Sequence, residues 1–234
     1  MIVFACIAPH GDMDLDPSLR ESMEELARRF DAAEPDAAVV VTPHNVHVEG
    51  HFAVVTAAHV GEWETDRELA QALLAADLPI LGVSFGGNDA AGAEHPLDWG
   101  TEVPLTFMRA RRVLVVAPAR DLGLDEHIRL GEAIARLPGR IALIASADHG
   151  HAHDPDGPYG FDAEAAVYDE KMLQILASGR LDFRPLARHV EAGKADSLWQ
   201  LLVLQGAMGE NARVTLLAYA APTYYGMAVA EVSA

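Results

Sequence analysis

The chain has 234 residues, half of them hydrophobic and 22% charged, which is typical of a globular protein with a buried core. Its formal net charge of −18 at pH 7 argues against binding to nucleic acid or to an anionic membrane surface. No apolar run approaches the roughly 18 residues of a membrane span. The single cysteine excludes an internal disulfide framework and, with no basic, cleavable leader after Met1, predicts a cytoplasmic protein.

Short apolar runs alternate with amphipathic segments along the chain, which is the pattern of an α/β protein. The runs predicted to be strands are 2–7, 37–42, 52–57, 79–84, 112–117, 140–146 and 213–220. The segments predicted to be helices are 17–33, 66–76, 125–137, 162–178 and 197–208. We therefore expect a single three-layer domain over residues 1–234, with a central, mostly parallel or mixed sheet flanked by helices.

Two long segments rich in glycine and proline, 85–104 and 148–160, are predicted to be loops. Long loops within a compact domain are commonly functional, and both of these contain histidine. The glycines of 84–88 are expected to let the backbone turn close to a site. The segment 222–226, which contains two adjacent tyrosines, is interpreted as a packed turn rather than as a pocket wall.

Three of the predicted strands are followed closely by histidine. His10 and His44 each come directly after a proline at the end of a strand, and His149 follows the run at 140–146. Because the carboxyl ends of parallel strands meet at the ligand-binding edge of such a sheet, we expect the three imidazoles to lie together. Their convergence would indicate a metal site or acid–base chemistry.

The histidines of the two loops are weaker candidates when taken one at a time. His95 lies three residues before Asp98, whose carboxylate is a candidate to orient the imidazole. Segment 149–153 carries histidine at alternate positions, which can be interpreted as a metal-binding tract. Because alternate residues of an extended loop need not converge, we expect His149 to be functional, with His151 and the third histidine in the loop or at its rim.

Four segments in order carry a resemblance to a known family: Ala-Pro-His-Gly at 8–11, a strand-terminal Pro-His at 43–44, His-x-x-Asp-x-Gly-x-x-x-Pro-Leu at 95–105 and Ser-x-x-His-Gly at 146–150. Over nearly its whole length, the chain resembles the class III extradiol ring-cleaving dioxygenases, the LigB superfamily. The resemblance implies a single α/β domain with a mixed sheet. It also implies a non-haem Fe(II), held by two histidines and a carboxylate, that opens catechol-type or aminophenol-type rings with O₂ in aromatic compound catabolism.

The resemblance also implies roles for individual residues. His10 and His44 match the two iron-binding histidines of the family. His149 matches the acid–base histidine, and His95 matches a second histidine near the substrate. The second ring nitrogen of each ligand histidine is expected to meet an acceptor, and the candidates for that role are Asp12, Asp98 and Asp148.

The third metal ligand is less evident. Where many family members carry a glutamate before a late buried helix, the nearest carboxylate here is Asp196, and Glu191 is the alternative. A competing interpretation makes Asp196 the N-cap of the helix that starts at 197. A carboxylated catechol would also require a nearby cation, and neither Lys194 nor any arginine stands out for that role.

Other functions remain open on the sequence alone. Zn²⁺ accepts the same ligands and would support a hydrolase. The chain could also be a non-catalytic metal-binding or scaffold member of the same fold, or a plain α/β binding domain. We expect a small aromatic diol and O₂ as binding partners. The apolar stretch 226–230 is expected to cover an edge strand or to form a contact in a homo-oligomer, and some family members require a small helical partner subunit.

Overall fold

The computed structural model describes residues 1–85 and 93–233 of the chain. The glycine-rich segment 84–88 falls largely outside these residues, as does the first part of the long segment that contains His95. The described residues form seven α-helices and eleven strands. The helices are α1 (Pro17–Ala33), α2 (Arg67–Leu74), α3 (Trp99–Phe107), α4 (Leu124–Ala135), α5 (Ala163–Ser178), α6 (Val190–Gly193) and α7 (Leu198–Met208). The strands are β1 (Ile2–Ala8), β2 (Ala37–Val41), β3 (Phe52–Val55), β4 (His59–Val60), β5 (Trp63–Thr65), β6 (Ile80–Val83), β7 (Glu94–His95), β8 (Arg112–Ala117), β9 (Ile141–Ser146), β10 (Arg213–Ala220) and β11 (Met227–Ser233).

The strands form one mixed sheet, as predicted. Its order is β10-β11-β1-β9-β2-β8-β5-β4-β7, and β3 pairs with β8 and β6 beside this path. The central strands β1, β9, β2 and β8 run parallel, so their carboxyl ends share one edge. Strands β11 and β10 extend the sheet from β1 in antiparallel fashion. Every residue of β2 and β9 is buried, which explains their continuous apolar sequences.

Helices cover both faces of the sheet and give the fold three layers, which confirms the predicted architecture. Residues of α2, α4, α5 and α7 share one hydrophobic cluster with Val39, and residues of α1 and α3 share a second cluster with Val40. Neighbouring residues of β2 enter opposite clusters because strand side chains alternate between the two faces of the sheet. None of the helices in the described ranges combines the length and the apolar character needed to span a bilayer.

The sequence predicted a loop over 85–104, but the last part of this segment forms the start of α3, so that part of the prediction is wrong. Asp98 begins this helix by accepting hydrogen bonds from the backbone N–H and the hydroxyl of Thr101. Pro104 lies inside the helix, where proline usually argues against one. The apolar stretch 226–230 enters β11, which pairs with β1 and so covers an edge of the parallel core, one of its two expected roles.

Helices α4 and α7 make close backbone contact through two glycines. A Cβ atom on Gly131 would lie 2.0 Å from the carbonyl oxygen of Val203, and a Cβ atom on Gly206 would lie 2.0 Å from that of Ile128. The absence of side chains at these two positions lets the helices approach each other. Since α7 begins beside Asp196, this contact also fixes the position of a candidate site residue.

Gly206→Ala is therefore expected to lower the free energy of unfolding by about 1–3 kcal/mol. The added methyl group forces the helices apart, which outweighs the better helix propensity of alanine. Urea unfolding followed by circular dichroism measures the change. The control is Glu132→Ala on the exposed side of α4, which should stay within about 0.5 kcal/mol of the wild type. A Gly206→Ala protein as stable as the wild type would contradict the close contact.

Candidate metal centre

The carboxyl ends of β1 and β2 bring two of the predicted ligands together. His10 lies two residues beyond β1 and His44 three residues beyond β2. Their Nε2 atoms are 2.9 Å apart, and the two rings meet edge to face. The Asp196 Oδ2 atom lies 3.5 Å from His44 Nε2 and 3.9 Å from His10 Nε2. All three ligand atoms fall within 4.8 Å of one another, close enough for one metal ion.

Of the two candidate carboxylates, Asp196 and not Glu191 joins the histidines. Glu191 is exposed and lines the adjacent cavity. The N-cap of α7 is Ser197, so the capping role considered for Asp196 does not apply. Asp196 is 7% exposed, and among the described residues its Oδ1 atom has no hydrogen-bond partner. A buried carboxylate without partners is costly, and a bound cation would offset that cost.

The second ring nitrogen of His10 is fixed by an unusual chain of hydrogen bonds. Pro104 has no N–H, so it leaves free the carbonyl of Gly100 one helical turn before it. The Ser146 hydroxyl donates to that carbonyl. The Ser146 oxygen must then accept from His10 Nδ1, which lies 3.0 Å away. His10 is thereby held with its proton on Nδ1 and its lone pair on Nε2, the nitrogen that faces His44 and Asp196.

The prediction that a carboxylate accepts from the second ring nitrogen of His10 is wrong, because Ser146 fills that role. Asp12 caps a short 3₁₀ helix. Asp98 accepts hydrogen bonds from Thr42 and Asn45 in addition to capping α3. The Oδ1 atom of Asp148 accepts a hydrogen bond from the backbone N–H of His10. Its Oδ2 atom lies 3.5 Å from His10 Nε2, the ring nitrogen proposed to bind the metal.

Burial sets the protonation states in this group. It lowers the pKa of His10 to about 3, with a further contribution from His151, and it lowers the pKa of His44 to about 4. Both imidazoles are therefore neutral at pH 7, as metal ligands must be. Burial raises the pKa of Asp148 to about 6. Burial and the nearby Asp148 charge raise the pKa of Asp196 well above its ordinary value.

His149 and His151 occupy different environments. His149 is fully buried, its Nδ1 lies 2.9 Å from Ser197 Oγ, and its Nε2 has no hydrogen-bond partner among the described residues. His151 lines the cavity, and its Nε2 lies 4.0 Å from Asp196 Oδ2. His151 Nδ1 lies 2.7 Å from the His149 carbonyl oxygen, so it carries the proton and leaves the lone pair on Nε2. The acid–base role of His149 stays a prediction, but the ring that reaches the cavity is that of His151.

Asp169 holds the loop that carries His151. This carboxylate is 1% exposed and accepts hydrogen bonds from the Gly150 N–H, from His153 and from the Tyr219 hydroxyl. His153, the third histidine of segment 149–153, was predicted to lie in the loop or at its rim. It links the loop to α5 through its hydrogen bond to Asp169. Three donors to one buried carboxylate make this anchor rigid.

His95, the second predicted catalytic histidine, lies in β7 and is 3% exposed. Its Nε2 lies 2.8 Å from the side-chain oxygen of Asn45, whose amide group donates to Asp98. Asp98 thus orients His95 through an intermediate amide and not directly. His95 is absent from the described cavity wall, and its role near the substrate stays a prediction.

A cavity of about 880 Å³ opens beside the three candidate ligands. Tyr224 and Tyr225 line this cavity, so the preference for a packed turn over a pocket wall at 222–226 is wrong. The turn joins β10 to β11 and reaches the site because β11 lies beside β1. The remaining aromatic residues of the wall are Trp99, Tyr159 and Trp199.

Removal of one ligand is expected to abolish metal binding without unfolding the protein. His10→Ala, His44→Ala and Asp196→Asn should each bind Fe(II) or Zn²⁺ at least about 100-fold more weakly than the wild type, more than the usual effect of altering a neighbouring group. Metal content after dialysis and the rise in melting temperature on metal addition measure this. Glu191→Gln is the control and should keep the metal; a variant set in which only Glu191→Gln loses it would contradict the assignment.

Comparison with known proteins agrees with this fold. The chain is 25% identical over 187 residues to Protein CA_C1420 of Clostridium acetobutylicum, and the match covers 69% of this chain and 40% of that protein. The chain thus spans less than half the length of this curated relative. The crystal structure of uncharacterized protein JW3007 from Escherichia coli K12 has a similar fold, with a TM-score of 0.66, 15% identity and coverage of 98% of this chain and 99% of that chain. Residues 2–230 match the family model described as the catalytic LigB subunit of aromatic ring-opening dioxygenase, and the chain belongs to this LigB family.

Proposed function

We propose that this protein is an Fe(II)-dependent extradiol dioxygenase that opens the ring of a small catechol-type or aminophenol-type aromatic with O₂. The observation that carries the proposal is the convergence of His10, His44 and Asp196 on one point beside an aromatic-lined cavity. Membership of a family of aromatic ring-opening dioxygenases supports the same reaction class. Fe(II) is proposed as the metal because two histidines and one carboxylate are the ligand set of non-haem iron oxygenases.

When bound, Fe(II) would hold the diol and O₂ next to each other and make their reaction effectively unimolecular. The protein contributes the ligand atoms and the walls of the site. Trp99 lies against His44, with ring centroids 4.4 Å apart, and extends the aromatic wall from the ligand outwards. In the turn between β10 and β11, Tyr225 stacks on His151 with ring centroids 5.7 Å apart. Flat aromatic walls of this kind suit a planar substrate and exclude water from it.

We assign the proton-transfer role to His151. Its Nδ1 proton is committed to a backbone carbonyl, so its Nε2 lone pair is available to a diol hydroxyl in the cavity. Burial lowers the pKa of His151, which keeps the ring neutral and able to accept a proton at pH 7. His149 would then have a structural role, through the hydrogen bond between its Nδ1 atom and the Ser197 hydroxyl.

The reaction is tested by loading the metal-free protein with Fe(II) under anaerobic conditions and adding catechols and aminophenols in air. We expect a yellow ring-fission product and the consumption of one O₂ per substrate. The rival zinc hydrolase predicts activity with Zn²⁺, independence of O₂ and no ring opening. Absence of product from every diol and aminophenol, with iron bound at one ion per chain, would rule out the dioxygenase function.

Variants of His149 and His151 distinguish which of the two residues transfers the proton. His151→Gln is expected to reduce kcat by about 10²–10⁴-fold, the usual contribution of a general base, while iron stays bound. His149→Gln should retain turnover within about tenfold of the wild type if it remains folded, because its ring does not reach the cavity. The reverse pattern, with turnover lost in folded, iron-loaded His149→Gln and kept in His151→Gln, would return the role to His149.

A further inference from the structure

Tyr225 lies directly against the segment that follows the candidate ligand His10. The tyrosine is in the turn before β11, and β11 runs antiparallel to β1, so this turn reaches the carboxyl end of β1. A Cβ atom on Gly11 would overlap the Tyr225 ring and would lie 2.7 Å from its hydroxyl oxygen. The missing side chain of Gly11 thus lets the phenol approach the backbone beside His10.

A backbone group holds the hydroxyl oxygen of Tyr225 in place. The N–H of Asp12 donates a hydrogen bond to this oxygen over 3.2 Å. Because the oxygen is the acceptor in that bond, the hydroxyl hydrogen is free to be donated elsewhere. In the part of the chain that the structure describes, this hydrogen meets no acceptor, whereas the Tyr219 hydroxyl donates to Asp169.

The hydroxyl lies at the wall of the cavity beside the candidate metal ligands. Gly11, Asp12 and Tyr225 all line this cavity, next to His10. The Tyr225 ring also stacks on His151, with an angle of 27° between the two ring planes. The tyrosine therefore contacts both the segment of a candidate metal ligand and the histidine assigned to proton transfer. A molecule that reaches both histidines lies beside its hydroxyl.

Proton transfer from the ligand would create negative charge next to this hydroxyl. In the proposed reaction an O–H bond of the ligand breaks, the proton moves to His151 Nε2, and the electron pair stays on the ligand oxygen. Carboxylate oxygens of Asp148 and Asp196 lie 3.5 and 3.9 Å from His10 Nε2, and when ionised they disfavour a further anion nearby. A neutral O–H donor stabilises such an oxygen through a charge-assisted hydrogen bond.

We propose that the Tyr225 hydroxyl donates a hydrogen bond to the ionised oxygen of an aromatic diol or aminophenol in this cavity. Tyr225 is then a substrate-binding residue that favours ligands whose ring hydroxyl loses its proton on binding. This inference rests on the proposed ring-opening function and deepens it. Tyr224 lines the same cavity, but no backbone N–H of the described residues holds its hydroxyl.

The test titrates Zn²⁺-loaded protein with 4-nitrocatechol, whose visible spectrum reports the ionisation of its hydroxyls. Zn²⁺ has no redox chemistry, so the probe binds without being cleaved. Tyr225→Phe is expected to weaken binding of the probe by about 10- to 100-fold, as for a lost hydrogen bond to a charged group. The same loss should raise the pH at which the bound probe ionises by about one to two units.

Two controls separate this role from a structural one. Tyr225→Phe should bind Zn²⁺ within about threefold of the wild type, well short of the roughly 10- to 100-fold loss caused by removing a group that orients a ligand. Thr215→Val removes a hydroxyl from an exposed position of β10 in the same hairpin and should bind the probe as the wild type does. An unshifted ionisation in Tyr225→Phe, or an equal shift in Thr215→Val, would overturn the donor role. Loss of metal from Tyr225→Phe would also overturn it, because the tyrosine would then act by positioning His10.

Failure of the proposed function gives a different pattern. If the iron-loaded protein opens no ring but the ionisation of bound 4-nitrocatechol depends on Tyr225, the ring-opening function fails and the donor role stands. If rings are opened and Tyr225→Phe matches the wild type in kcat/KM and in the ionisation of the probe, the donor role fails and the ring-opening function stands.

Discussion

The candidate site is organised around two buried carboxylates, and within residues 1–85 and 93–233 no lysine or arginine forms an ion pair with either of them. Asp148 and Asp196 lie beside His10 and His44, which burial keeps neutral at pH 7. Such a group is stable only when it takes up protons or binds a cation, because desolvation of an unpaired carboxylate costs several kcal/mol. A divalent metal would satisfy the carboxylate and the imidazole lone pairs together. Metal binding and the stability of this part of the fold are therefore coupled.

The fold keeps these groups together by joining distant segments at one sheet edge. Strand β9 lies between β1 and β2, so the loop after it begins between the two segments that carry the ligand histidines. That loop is tied to the rest of the protein by hydrogen bonds from the N–H of His149 to Gly226 and from the N–H of His151 to Gly193. Asp169 adds the third anchor through Gly150. The site is thus held by the sheet, by the β10–β11 hairpin and by the segment before α7.

The sequence predicted the features that depend on local pattern. Strand-terminal positions located His10 and His44, because an apolar run followed by proline is a local signal. The choice of Asp196 over Glu191 depended on where α7 begins. Which of His149 and His151 faces the cavity depended on the backbone hydrogen bonds that these residues make to Gly226 and Gly193, which are distant in sequence. The adjacent tyrosines at 224 and 225 fit a packed turn and a pocket wall equally well when only their local sequence is considered. Their proximity to the site follows only from the order of the strands.

The irregular helix α3 links local stability to ligand chemistry. Pro104 weakens its own helix, and the carbonyl that it frees controls the hydroxyl of Ser146 and, through it, the tautomer of His10. A residue with an N–H at position 104 would strengthen the helix by donating a hydrogen bond to the Gly100 carbonyl. The Ser146 hydroxyl would then be able to rotate towards another acceptor. A more stable helix would then come with a less ordered ligand, so thermostabilising substitutions that remove helix prolines are unsuitable here.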